Sequence, residues 1–238
     1  MFPIRDDQPR FSTPYVNYFI IALNVLIYVF FEVPVEMQGE RHFEALIFQF
    51  GFIPEHLTGA LAGSSHYSIS ASVLTIFTSM FLHGGLLHVV GNLWFLWIFG
   101  DNIEDHLGHF TYLIFYLLCG IAAALTFIAI NPSSTVPTIG ASGAIAGIMG
   151  AYIVLYPRAR VQTLVVLIVF FTFWWLPAWV FLGYWFLIQF VMTSAAAGAP
   201  NHQTGGVAFA AHVGGFVAGL IMIKLFPKRT PSYRYGSW

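Results

Sequence analysis

The stretch His109 to Ile130, HFTYLIFYLLCGIAAALTFIAI, holds no Asp, Glu, Lys or Arg and is closed by Asn131-Pro132. A hydrocarbon core about 30 Å thick takes roughly 20 helical residues to cross. The stretch therefore reads as a transmembrane helix. The rest of the 238-residue chain has the same character, being 58% hydrophobic and 8% charged with a mean hydropathy of +0.77, whereas about 25% of a soluble domain is charged. The polar stretches between the apolar blocks are too short for a second soluble domain, so the sequence implies one domain whose first partner is the lipid bilayer. Net charge is −1 and no Lys or Arg occurs between Arg41 and Arg158. That excludes a phosphate-binding groove or a basic nucleic-acid face. The one cysteine, Cys119, lies in an apolar run and reads as a small buried hydrophobe.

Working outward, span one covers about Tyr15 to Val35, behind a polar tail of residues 1–14. Val73 to Phe99 is too long for one upright helix and is interrupted by Gly84-Gly85, which predicts that span two starts near Gly84. Span four begins at Gly140 and stops before Pro157; span six runs from about Gly206 to Phe226, where Pro227 ends it. Pro177 divides the block Val161 to Thr193. Span five should follow it, with the β-branched stretch Val161 to Phe173 forming a separate interfacial segment. The aromatics from Phe170 to Trp185 fit either interfacial anchors or a gate through which another helix enters sideways, and the anchor reading is preferred. A long first loop, about residues 36–83, carries amphiphilic sequence such as Phe43 to Phe48 that suits a bilayer surface. The expected fold is an all-α bundle of six transmembrane helices over residues 15–226, followed by a tail of residues 227–238. With six spans, Arg5, Arg10, Arg158, Arg160, Lys224, Lys228, Arg229 and Arg234 share the side of both termini, and Arg41 alone lies opposite. The positive-inside rule then places both termini in the cytoplasm, and the short tails suggest a bacterial plasma (inner) membrane.

Polar groups in hydrocarbon are costly unless paired, which makes them functional candidates. Span two opens with His83, Gly84 and Gly85, then His88 and Asn92 one helical turn apart. Span four opens with Gly140-Ala141-Ser142-Gly143, and span six carries His212 near its start. All three spans enter from the same side, so these residues share one depth. Gly143 and Gly147 on span four, with Gly215 and Gly219 on span six, form small-residue stripes that let helix backbones approach closely. Ser142 and His212 are then brought within hydrogen-bond reach, as activation of a serine nucleophile by a general base requires. Spans two to six as drawn contain no Asp or Glu, so packing or neutral groups must orient the base. The side chains of His88 and Asn92 and the backbone N–H of Ser142 are the expected donors to an oxyanion. His42, His56, His66, His106, His109 and His202 fall in predicted loops and read as solvated.

Three motifs together resemble the rhomboid intramembrane serine proteases: Gly140-Ala141-Ser142-Gly143 at the start of span four, His83-Gly84-Gly85-Leu86-Leu87-His88 with Asn92 in span two, and Ala211-His212-Val213-Gly214-Gly215 with Gly219 in span six. The resemblance covers about Thr78 to Leu225. It implies Ser142 as nucleophile, His212 as base, and His88 with Asn92 stabilising the oxyanion. It also implies a six-helix bundle with a water-filled cavity, no metal or other cofactor, and single-span membrane proteins as substrates, cut at helix-unstable segments with small residues. His83 matches a supporting histidine near the cavity mouth, with Gly140 and Gly143 shaping the site; Gly147, Gly215 and Gly219 serve packing. The sequence departs from the family in lacking a tryptophan-arginine pair in the first loop. It also has Ala146 where some relatives stack an aromatic ring on the base.

Other classes fit less well. No His-Glu-x-x-His motif is present for a zinc protease, and the polar cluster is off-centre with no evident repeat of halves, unlike a transporter. A metal or haem protein would have to use His83, His88 and His212. The nearest rival is a catalytically silent relative that binds client helices, although such proteins usually lack the serine or histidine.

Overall fold

The computed structural model describes residues 1–167, 170–197 and 209–228. After a short strand β1 (Phe2–Asp6), helix α1 (Tyr15–Ile27) passes through a π-helical turn at Tyr28–Glu32 into α2 (Val33–Glu36) without a break. Three short helices, α3 (Glu40–Phe50), α4 (Pro54–Leu61) and α5 (Ile69–Ser79), occupy the long first connection. The long α6 (Leu86–Leu107) and α7 (His109–Ile130) follow, then α8 (Ser142–Leu155), strands β2 (Arg160–Leu167) and β3 (Phe170–Pro177), α9 (Ala178–Ala197) and α10 (Phe209–Met222). Among the described residues, four helical stretches are long and apolar enough to cross a bilayer: Tyr15–Glu36, Leu86–Leu107, His109–Ile130 and Ala178–Ala195. Helices α8 and α10 are apolar but only 14 residues each. The region 206–208, where span six was expected to begin, and the tail beyond residue 228 lie outside the described residues, as does His202.

The chain is mostly helical but not all-α. Strands β1, β2 and β3 form a three-stranded antiparallel sheet in that order. The stretch Val161 to Phe173, expected as an interfacial segment, is most of its hairpin, and residues 2–6 of the expected tail are its first strand. Val161, Thr163, Val165 and Val166, facing aromatics such as Phe171 and Trp174, favour a pleated surface. Polar contacts hold β1 in place: the Trp94 indole N–H donates to the Pro3 carbonyl at 2.7 Å, Arg5 Nε donates to Gln162 Oε1 at 2.9 Å, and the Tyr152 hydroxyl donates to Asp6.

Helix α6 does not end near Phe99. It continues to Leu107, bringing Asp101, Glu104 and Asp105 into a span that was expected to lack carboxylates. The extension is stabilised by the chain ahead of α1. The buried Glu104 carboxylate accepts the free N–H groups of Val16 and Asn17 at 2.9 and 2.6 Å, and it pairs with His109 Nδ1 at 2.5 Å. Asp105 accepts from the Phe11 N–H and the Ser12 hydroxyl. His109 is thus a bonded helix residue, not a solvated loop histidine. His42, His56 and His106 also lie on helices, with His56 stacked on Tyr67 at 4.5 Å.

Helix α8 is the buried axis of the molecule, with every residue from Gly143 to Tyr152 removed from the surface. It meets α10 backbone to backbone. A Cβ added to Gly215 would fall on the Gly143 carbonyl oxygen, one on Gly219 on the Gly147 carbonyl, and one on Gly150 on the Phe216 carbonyl. Only a missing side chain permits this approach.

Candidate active site

The site is built where α6, α8 and α10 begin. Gly140 sits at φ +122°, and a Cβ there would lie 2.9 Å from His88 Nε2. Both its conformation and its neighbour therefore require glycine. Its N–H donates to the Ser79 carbonyl at 2.8 Å, which fixes the turn delivering Ser142 to the first position of α8. The first N–H groups of a helix have no partner within it. The first connection is tied to the same turn, since Phe52 and Thr138 exchange backbone hydrogen bonds at 3.0 and 2.8 Å.

His212, about one turn into α10, places Nε2 2.6 Å from Ser142 Oγ. Its other nitrogen, Nδ1, is 2.8 Å from Gln189 Oε1 on α9. The Trp185 ring lies 5.9 Å from the imidazole and Phe209 meets it edge-on at 6.5 Å. His88 Nδ1 accepts the Gly84 N–H at 3.2 Å. A neutral ring that accepts at Nδ1 carries its proton on Nε2, the nitrogen facing Gly140 beside Ser142. The Asn92 amide nitrogen is buried and has no hydrogen-bond partner among the described residues. Ser142, His212, His88 and Asn92 all line one cavity of about 180 Å³, whose wall is otherwise made of groups such as Met80, Ala123 and Phe127.

His83 stands apart from this lining. Its ring is fully buried 5.1 Å from that of His88, and its backbone N–H donates to Glu32 Oε2 at 2.7 Å. It is packed behind His88 and is not among the residues that line this cavity. Gly143 borders the cavity and meets Ala123 of α7, and Gly147 meets Cys119. Among the described residues no three His, Cys, Asp or Glu side chains gather as a metal site would need.

The sequence reading missed two polar side chains. Gln189 is an amide within the apolar run Phe186-Leu187-Ile188-Gln189-Phe190. Glu32 is a fully buried carboxylate of the first span. The rule that intramembrane polar residues have partners and roles would have flagged both.

The helices and site define an integral membrane protein in which a serine and a histidine from separate helices are bonded beside an apolar cavity. A family model described as the Rhomboid domain matches residues 70–229, and the chain belongs to the rhomboid family. It is similar to Rhomboid-like protein 11, chloroplastic, of Arabidopsis thaliana, with 30% identity over 158 residues, 63% of this chain and 51% of that protein. RHOMBOID-like protein 1 of the same plant is 29% identical over 163 residues, 68% of this chain and 36% of that protein. Rhomboid protease GluP of Bacillus subtilis (strain 168) is 29% identical over 147 residues, 61% of this chain and 26% of that protein. The matched region thus spans about half or less of these relatives' length.

Proposed function

We propose that the protein is an intramembrane serine endopeptidase that cleaves single-span membrane proteins within or beside their transmembrane segment. The observation that carries this reading is the 2.6 Å approach of His212 Nε2 to Ser142 Oγ at the cavity wall. Neutral His212 takes the Ser142 proton as Oγ attacks the scissile carbonyl. The tetrahedral oxyanion is received by the Nε2–H of His88, the amide of Asn92 and the N–H of Ser142. The imidazolium then gives its proton to the departing amine, leaving an acyl-enzyme, and water activated by the same base hydrolyses the ester. The Asn92 amide nitrogen has no acceptor among the described residues, as a donor kept for an oxyanion should.

The membrane arrangement belongs to the same proposal. Six spans arise from the α1–α2 stretch and α6 to α10 within a domain of residues 15–226. At 1.5 Å per residue α8 reaches only about 21 Å, so the connections at its ends complete the crossing. Both termini are cytoplasmic, in a bacterial plasma membrane, with water entering from the opposite face. The clustering of Arg10, Asp101, Asp7 and Arg160 in ion pairs around the start of the chain supports one shared polar side.

The test is cleavage of a single-span reporter by detergent-solubilised protein. Wild type should cut and react with a serine-directed fluorophosphonate, whereas Ser142→Ala and His212→Ala should do neither. Retained cleavage in Ser142→Ala refutes the mechanism, and an inert, unlabelled wild type favours a helix-binding protein that does not cut.

A further inference from the structure

We infer that Gln189 on α9 is a positioning residue for His212, which holds the base in a Ser142–His212–Gln189 chain of hydrogen bonds. The inference rests on the protease reading above. His212 is bonded at both nitrogens, Nε2 to Ser142 Oγ at 2.6 Å and Nδ1 to Gln189 Oε1 at 2.8 Å.

A histidine that receives a proton at Nε2 must hold its resting proton at Nδ1. In the opposite tautomer Nε2–H points at the serine and the pair is inert. An oxygen acceptor at Nδ1 selects the productive tautomer and fixes the ring plane. As the Ser142 proton moves to Nε2 the ring becomes imidazolium, and the Nδ1–H···Oε1 bond becomes charge-assisted and shortens. The amide thus stabilises the charged state more than the resting state, which accelerates the step.

Gln189 lies one helical turn beyond Trp185, whose ring also rests on His212. Two side chains of α9 therefore grip the base, one by packing and one by a hydrogen bond. This answers what orients a base in a bundle where position 146 is alanine. A glutamine does so without placing a carboxylate in the hydrocarbon, which would be costly unless paired. Among the described residues the other titratable group facing His212 is His88 across the cavity, and it accepts at Nδ1 from Gly84.

The amide must face His212 with its oxygen, because a donated N–H would impose the inert tautomer. Substitution to glutamate retains an acceptor and adds charge; substitution to leucine removes the acceptor while filling similar space. The experiment measures kcat, KM and the pH profile of reporter cleavage for wild type, Gln189→Leu and Gln189→Glu, with Ser142→Ala as the blank. Gln189→Leu should lose about 10- to 100-fold in kcat with KM changed less than about threefold, as expected for a mispositioned base. Gln189→Glu should retain cleavage, and the acid limb of its profile should move to higher pH, because a carboxylate beside Nδ1 favours the protonated ring. Wild-type kcat and profile in Gln189→Leu overturn the proposal. So does an unmoved acid limb in Gln189→Glu, which decides the matter even where the leucine variant fails to fold. An inert wild type overturns the protease reading itself and this inference with it, whereas normal wild-type turnover confines any failure to Gln189.

Discussion

Replacing Gly215 by alanine tests the geometry most directly. The added Cβ meets the Gly143 carbonyl oxygen, a backbone atom that cannot rotate away. The gap is 2.0 Å and ordinary van der Waals contact begins at 3.4 Å, so α8 and α10 must part by roughly 1.4 Å. Gly143 adjoins Ser142, and Gly215 is about one turn from His212, so little of the displacement can be absorbed before it reaches the reacting pair. Their separation would grow from 2.6 Å to roughly 4.0 Å, outside hydrogen-bond range. A misplacement of that size costs about 100-fold in rate, or about 2.7 kcal/mol of transition-state stabilisation. The overpacked core should lose about 1–3 kcal/mol of stability as well. Reporter cleavage and thermal unfolding in the same detergent measure the two effects. Gly183→Ala on α9, where an added Cβ meets nothing within 4 Å, is the control and should behave as wild type. Cleavage by Gly215→Ala within twofold of wild type, with unchanged Tm, would refute the backbone contact and the transmission of its strain to the site.

Three further outcomes are expected. His88→Ala and Asn92→Ala should each lower kcat by about 10²- to 10³-fold while KM moves little, because their donors act on charge that develops only in the transition state; an equal loss expressed in KM would assign them to substrate binding. Glu104→Ala removes the acceptor for two N–H groups at the start of α1 and the partner of His109, and should lower stability by about 1–3 kcal/mol, read as a fall in Tm with turnover kept at low temperature. Burial pushes the Asp6 carboxyl up to about 7, against a partial opposing effect of the Tyr152 hydroxyl that donates to it. The folded chain therefore holds a proton that the unfolded chain releases, so this group's contribution to stability falls as pH rises from 3.8 to about 7. Asp6→Asn should flatten that slope in Tm measured across the window, and an unchanged slope would refute the assignment.

Much of the architecture was legible because backbone breakers act locally. Helix α6 starts at Leu86, just after Gly84-Gly85, and Gly85 adopts φ +140° there. Helix α9 starts at Ala178, directly after Pro177. The sheet was not legible. Phe2 pairs with Leu164, a contact between distant segments that neither segment announces alone, and the hairpin's apolar residues serve an interface as readily as a strand. The end of α6 was misread because Asp101 and Glu104 look like an exit from the membrane. Their partners, Arg10 and the start of α1, lie elsewhere in the chain. At the site, Ser142, His212, His88 and Asn92 were visible as polar residues of one depth, and the structure lines one cavity with all four. Gln189 belongs to no motif, and only the packing of α9 against α10 brings it to His212.

What the sequence by itself determined was the solvent of the chain, the points where its helices break, and the set of polar residues within its apolar segments. These follow from side-chain transfer energies and local backbone preferences, which depend on neighbouring residues only. Tertiary structure alone decided that α8 and α10 touch through glycine and carbonyl, that His212 turns Nε2 to Ser142 and Nδ1 to Gln189, and that residues 2–6 complete a sheet. Such distances depend on the register and crossing of helices far apart in the chain, where a shift of one ångström separates a hydrogen bond from a gap.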